Sequence, residues 1–153
     1  RKTCSRTRRK KRRVRPRVCA DARALLQRHR DAGDTLVLTT ATNRVVTTLT
    51  AADLGIEHLL ATEVEERAGV YTGRLRGKPN MRRGKVERLQ QWMATLSLPE
   101  TMLKDATFYS DSINDLPLLS VVGHPVAVDP DLRLESAARR HRWPILRLQR
   151  GRA

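Results

Sequence analysis

An α/β fold, in which a parallel sheet is covered by helices on both faces, is predicted by two observations. Short apolar runs alternate with helix-periodic segments along most of the chain, and polar residues cluster directly after apolar runs, where such sheets open into their loops. Ala22, Leu25, Leu26 and His29 recur at helical spacing before Gly33, which predicts an amphipathic helix over about 20–32. Leu36 to Leu38 then reads as a short buried strand that opens into a polar loop, Thr39 to Asn43. Val45, Val46, Leu49, Ala52 and Leu54 mark the next helix, with Gly55 as its C-terminal signal. His58 to Thr62 is a second strand, and Val70 to Gly73 suits part of a small hairpin.

Val86, Leu89, Met93 and Leu96 are three and four apart, which predicts a helix over 83–97 closed by Pro99. Ala106 to Tyr109 is a third strand and runs into the densest polar cluster of the chain, Ser110 to Asp115. A helix with Leu116, Leu118, Leu119, Val121 and Val122 should follow, since Pro117 is tolerated in a first turn. Pro125 to Val128 gives a fourth strand, Asp129 to His141 a helix with an acidic start, and Ile145 to Leu148 a last apolar run. No internal repeat is visible.

Charge is distributed unevenly. The 153 residues carry a net charge of +15, and 11 of the 31 basic residues lie in the first 17, which contain no acidic residue. The remainder holds 20 basic against 16 acidic residues, an ordinary balance for a soluble domain. Residues 1–19 are therefore expected to be a disordered basic tail, with the folded unit over 20–153. No apolar run reaches the roughly 18 residues of a membrane span, so neither a membrane nor export is expected. Two cysteines, Cys4 and Cys19, do not make a disulfide framework, and a reducing cytoplasm is the expected setting.

Two polar loops carry candidate chemistry. In Thr39 to Asn43, hydroxyls and free backbone N–H groups at a helix start suit a phosphate, although Thr and Asn at such positions also serve as caps. Asp111 and Asp115 lie four apart at a strand-to-helix turn, where both carboxylates can reach one Mg²⁺ together with waters and a substrate oxygen. The alternative is that Asp115 caps the helix and Asp111 is solvated. Lys85 opens the 83–97 helix and can neutralise a phosphoryl group as a point charge, a role for which Lys78 competes. Neither lysine fits a nucleotide-binding P-loop, because the spacing fails and no Ser or Thr follows.

The order of these segments resembles the haloacid dehalogenase superfamily, in particular its phosphoserine-phosphatase-like branch of phosphomonoester hydrolases, over about 20–149. The apolar strand ending in Thr39-Thr40-Ala41-Thr42 looks like the family's second motif, Gly84-Lys85-Val86 resembles the third, and Phe108 to Pro117 is similar to the fourth. The resemblance implies a three-layer Rossmann-like sheet, Mg²⁺ as cofactor held by Asp111 and Asp115, phosphate binding at Thr40, Ala41, Lys85 and Asn114, and a small phosphorylated metabolite as substrate. It also exposes a departure. Members begin with D-x-D-x-T after a first strand, and in this branch a helical cap separates the first motif from the second. Here the acidic residues preceding Thr40 are Asp21, Asp31 and Asp34, none of which follows an apolar strand. The chain is thus expected to be the C-terminal portion of such a hydrolase, without nucleophile, cap or central strand, and inactive alone. The incomplete sheet would favour self-association, and residues 1–19 are expected to arise from a wrong start or a shifted reading frame.

Two other functions compete. A basic run such as Arg8 to Arg13 can neutralise nucleic-acid phosphates or an anionic surface. A tail without aromatics lacks a stacking platform, so nucleic acid is not the favoured partner. The other is a pseudoenzyme that keeps the phosphate site as a sensor.

Overall fold

A computed structural model describes residues 18–148. The segment 1–17, on which the expectation of a disordered tail rests, lies outside the described residues. Helix α1 (Ala20–Asp31) follows Cys19 and ends before Gly33, where φ is +81°. It has no fully buried residue; Arg23 reaches Asp53 at 2.9 Å and Arg30 donates to the Leu54 carbonyl. Strand β1 (Val37–Asn43) is longer than expected, because Thr39 to Asn43 continue it. Threonines tolerate extended backbone well, and β2 (His58–Thr62) supplies a parallel partner: Val37 to Thr39 face His58 to Leu60, and pairing resumes at Asn43 with Thr62 after an irregularity.

Helix α2 (Arg44–Asp53) turns another face inward than its apolar pattern implies. Thr47 and Ala51 are buried, whereas Val45, Val46 and Leu49 are exposed. Strands β3 (Val64–Arg67) and β4 (Val70–Leu75) form an antiparallel hairpin. Ala68 and Gly69 both have positive φ between them, which matches the twist of a two-residue hairpin turn. Helix α3 (Arg83–Thr95) agrees with its periodicity and buries Lys85 and Met93. A 3₁₀ turn over Glu100–Lys104, which no periodicity signals, leads into β5 (Thr107–Ser110). Beyond β5 the expected long helix is instead a 3₁₀ turn (Ile113–Asp115) and a single turn α4 (Leu116–Leu119), after which Val121 is exposed and Val122 buried. Strand β6 (His124–Val128), helix α5 (Leu132–His141) and β7 (Ile145–Leu146) complete the chain.

The architecture is α/β with parallel pairing, as expected, and the sheet is divided. β1 pairs with β2, and β5, β6 and β7 pair in that order, both sets parallel; β1 and β5 are not hydrogen-bonded to each other. β1 and β5 have therefore not closed up into one ladder. The best packed core lies in the second set, where Leu119, Ala127, Leu134 and Ala138 are fully buried and Phe108, Ile113, Trp143 and Ile145 pack around them. Among the described residues no helix is long and apolar enough to cross a membrane.

Asp131 ties this core to the Ser110–Asp115 loop. One of its carboxylate oxygens caps α5 by accepting from Leu134 N–H at 2.8 Å, the other accepts from Ile113 N–H at 2.9 Å, and its own N–H donates to the Asp111 carbonyl at 2.8 Å. Burial pushes this carboxyl up, but the backbone N–H groups of Leu134, Ile113 and Arg133 outweigh it and hold the pKa below its ordinary 3.8. A depressed carboxyl stabilises the fold above the ordinary value, and that contribution is lost as pH falls through the lower folded value. Asp131→Ala should cost about 1 kcal/mol in denaturant unfolding near neutral pH. The gap from the unaltered protein should narrow as pH drops below 3.8; a gap that stays constant with pH contradicts the assignment.

Candidate active site

Lys85 and Asp115 are the centre of the site. Lys85 is in the first turn of α3 and is only 6% exposed, and Asp115 is 7% exposed at the end of the 3₁₀ turn after β5. Their Nζ and Oδ2 atoms are 2.7 Å apart. The same Oδ2 accepts from Ser110 Oγ at 2.7 Å, and the ammonium also stands 5.9 Å from the Phe108 ring centroid. A buried charge needs such partners, because desolvation alone would cost several kcal/mol. Lys78 competes no longer on geometry: it is exposed and paired with Glu87 at 2.9 Å.

The position of Lys85 depends on a tight approach. Arg82, just before α3, has φ of +51°, and Gly84 packs so closely on the preceding loop that a Cβ there would lie 2.5 Å from the Pro79 carbonyl oxygen. Asn80, in that loop, is fully buried. Its amide nitrogen donates to the carbonyls of Thr40 and Leu60 at 2.9 and 2.7 Å and reaches Thr39 Oγ1 at 3.1 Å, while its N–H donates to Thr62 Oγ1 at 3.0 Å. One side chain thus fastens the ends of β1 and β2 to the loop that leads into α3. No motif in the sequence singles out Asn80; the sole local signal is its place after Pro79 and shortly before Lys85.

The remaining predicted residues are spread around this centre. Thr40 is half-buried, with its hydroxyl accepting from Thr42 N–H at 3.1 Å. Ala41 is exposed, and its carbonyl accepts from the Thr62 hydroxyl at 2.7 Å. Asn43 caps α2 by accepting from Val46 N–H at 3.0 Å, so at this residue the capping alternative holds. Asn114 is exposed and accepts from Arg82 Nε at 3.4 Å. Asp111 is exposed, and no hydrogen bond or ion pair to another described residue occupies its carboxylate. The structure brings Lys85 and Asp115 into contact; no hydrogen bond joins Thr40 or Ala41 to either of them.

A divalent cation can be tested against this donor set. Mg²⁺ takes oxygen ligands, keeps several waters, and is commonly held by one or two carboxylates plus substrate oxygens. Asp111 offers an open carboxylate, and Asp115 keeps Oδ1 free of the two groups that occupy its Oδ2. The chemistry of the donors fits Mg²⁺, but no group of three or more His, Cys, Asp or Glu side chains gathers among the described residues. Water and substrate, or another protein segment, would have to complete such a shell.

Comparison with known proteins fits this arrangement. The family model described as haloacid dehalogenase-like hydrolase matches residues 3–120. A histidinol-phosphatase of Neisseria meningitidis is 39% identical over 132 residues, which are 86% of this chain and 60% of that protein. A phosphoserine phosphatase of Mycobacterium tuberculosis is 42% identical over 124 residues, 80% of this chain and 39% of that protein. A crystal structure of a protein of unknown function from Bordetella pertussis superposes with a TM-score of 0.81 at 42% identity, covering 87% of this chain and 60% of that one. The chain therefore spans about 40 to 60% of the length of these relatives. On the match over residues 3–120, the chain belongs to the haloacid dehalogenase-like hydrolase family.

Proposed function

We propose that this chain is the C-terminal portion of a Mg²⁺-dependent phosphomonoester hydrolase acting on a small phosphorylated metabolite of the cytoplasm, and that it is inactive alone. The observation that carries the reading is the buried Lys85–Asp115 pair at 2.7 Å, four residues from the open carboxylate of Asp111. Phosphoryl transfer depends on positioning and on neutralising the charge of the phosphoryl oxygens. Lys85 supplies a fixed cation, held away from water. Thr40 and Ala41, in the middle of β1, offer a hydroxyl and backbone N–H groups to phosphate oxygens, and Asn114 offers a side-chain amide. Asp111 and Asp115 would hold Mg²⁺, which when bound supplies further charge neutralisation. What the chain does not supply is a carboxylate that can attack phosphorus, since Asp21, Asp31 and Asp34 lie in or just after α1. Without it the residues bind and orient a phosphate but do not cleave the ester.

The division of the sheet supports the same reading. An apolar strand placed between β1 and β5 would give both unpaired edges a ladder and would bring its C-terminal end toward the two polar loops. The names of the relatives favour phosphoserine or histidinol phosphate as the substrate class.

Two measurements check the proposal. Calorimetry with inorganic phosphate should detect weak binding that requires Mg²⁺ and disappears in Asp111→Ala, with the circular dichroism spectrum unchanged. Phosphate binding indifferent to Mg²⁺, or none at all, removes the site. The DNA upstream of residue 20, translated in all frames, should encode an apolar strand followed by D-x-D-x-T or a close variant. A chain extended with that segment should hydrolyse one of the two phosphomonoesters, and turnover by the present chain alone would refute its inactivity.

A further inference from the structure

On the opposite face of β5 from Lys85 there is a second polar contact, which the phosphate chemistry does not use. Side chains alternate along a strand. Phe108 and Ser110 look toward Lys85, so Tyr109 looks the other way, toward α1. There its hydroxyl is 2.7 Å from His29 Nε2, and His29 Nδ1 is 2.6 Å from Asp34 Oδ2. The rings of His29 and Tyr109 meet edge to face at 5.6 Å between centroids. Asp34 is brought under the imidazole by the turn after α1, where its N–H donates to the His29 carbonyl at 2.9 Å. The contact spans 80 residues of sequence.

The donors can be assigned by elimination. An ionised carboxylate only accepts, so Nδ1 of the neutral ring must carry the proton; Nε2 is then the acceptor and the phenol must donate. We propose that Asp34, His29 and Tyr109 form a clamp, with His29 held as the Nδ1–H tautomer, that fixes α1 to β5 and positions the strand end bearing Asp111. All three are positioning residues. The importance of Asp111 rests on the phosphatase reading above, whereas the clamp itself does not.

The test is nuclear magnetic resonance on the whole chain with ¹⁵N-labelled histidine at about pH 8, above the ordinary histidine range. His29 should carry its proton on Nδ1, the reverse of the preference of a neutral histidine in water. Asp34→Asn, which keeps an acceptor oxygen, should retain that tautomer, and Asp34→Ala should lose it. Tyr109→Phe should move the His29 Nε2 resonance and the Asp111 amide, and should speed amide exchange in α1 by roughly three- to tenfold, as loss of one hydrogen bond does. A proton on Nε2 in the unaltered chain overturns the clamp, and that measurement needs no variant to fold. An Asp111 amide and α1 exchange rates that ignore Tyr109→Phe overturn the positioning role. Failure of Mg²⁺-dependent phosphate binding would leave these outcomes intact, so the two proposals fail separately.

Discussion

A lysine with 6% of its surface exposed cannot remain charged inside a protein without a counter-charge, and the pairing of Lys85 with Asp115 is the interaction on which the arrangement of this chain turns. It joins the start of α3 to the turn after β5. Ser110 shares the same carboxylate oxygen, so strand, turn and helix meet on one atom. Removing either charge would leave the other buried and unpaired, a far larger penalty than any surface ion pair on this molecule carries.

Much of the fold was legible because apolar periodicity reports local structure. The bounds of β2 and the body of α3 follow from it directly. Which face of a helix is buried does not, since that depends on neighbours the pattern cannot name. Val45, Val46 and Leu49 marked α2 correctly as a helix, yet Thr47 and Ala51 face inward because β1 and β2 lie on that side. The extension of β1 through Thr39 to Asn43 escaped for a related reason: threonines read equally as loop or strand, and only the partner β2 decides.

At the site, the residue types were visible and their ranking was not. Lys78 and Lys85 are equivalent in composition; burial against Asp115 separates them. Asn80 and Asp131 were not singled out at all, although each fastens several backbone groups, because a single Asn after a proline or a single Asp before a helix has no distinctive spacing. His29 illustrates the converse. Its helical spacing with Leu25 and Leu26 placed it correctly on the inward face of α1, while its partners, Asp34 and Tyr109, come from the following turn and from a strand far along the chain.

The divided sheet also bears on how the chain opens. Each parallel set is made from strands that are neighbours in sequence order, β1 with β2 and β5 through β7, and no ladder hydrogen bond crosses between them. Among the described residues, the side chains that span the division include the ion pair from α3, the hydrogen-bonded histidine from α1 and the Arg82–Asn114 hydrogen bond. Segments joined by few contacts can open separately, and the fully buried cluster of Leu119, Leu134, Ala127 and Ala138 lies with the second set.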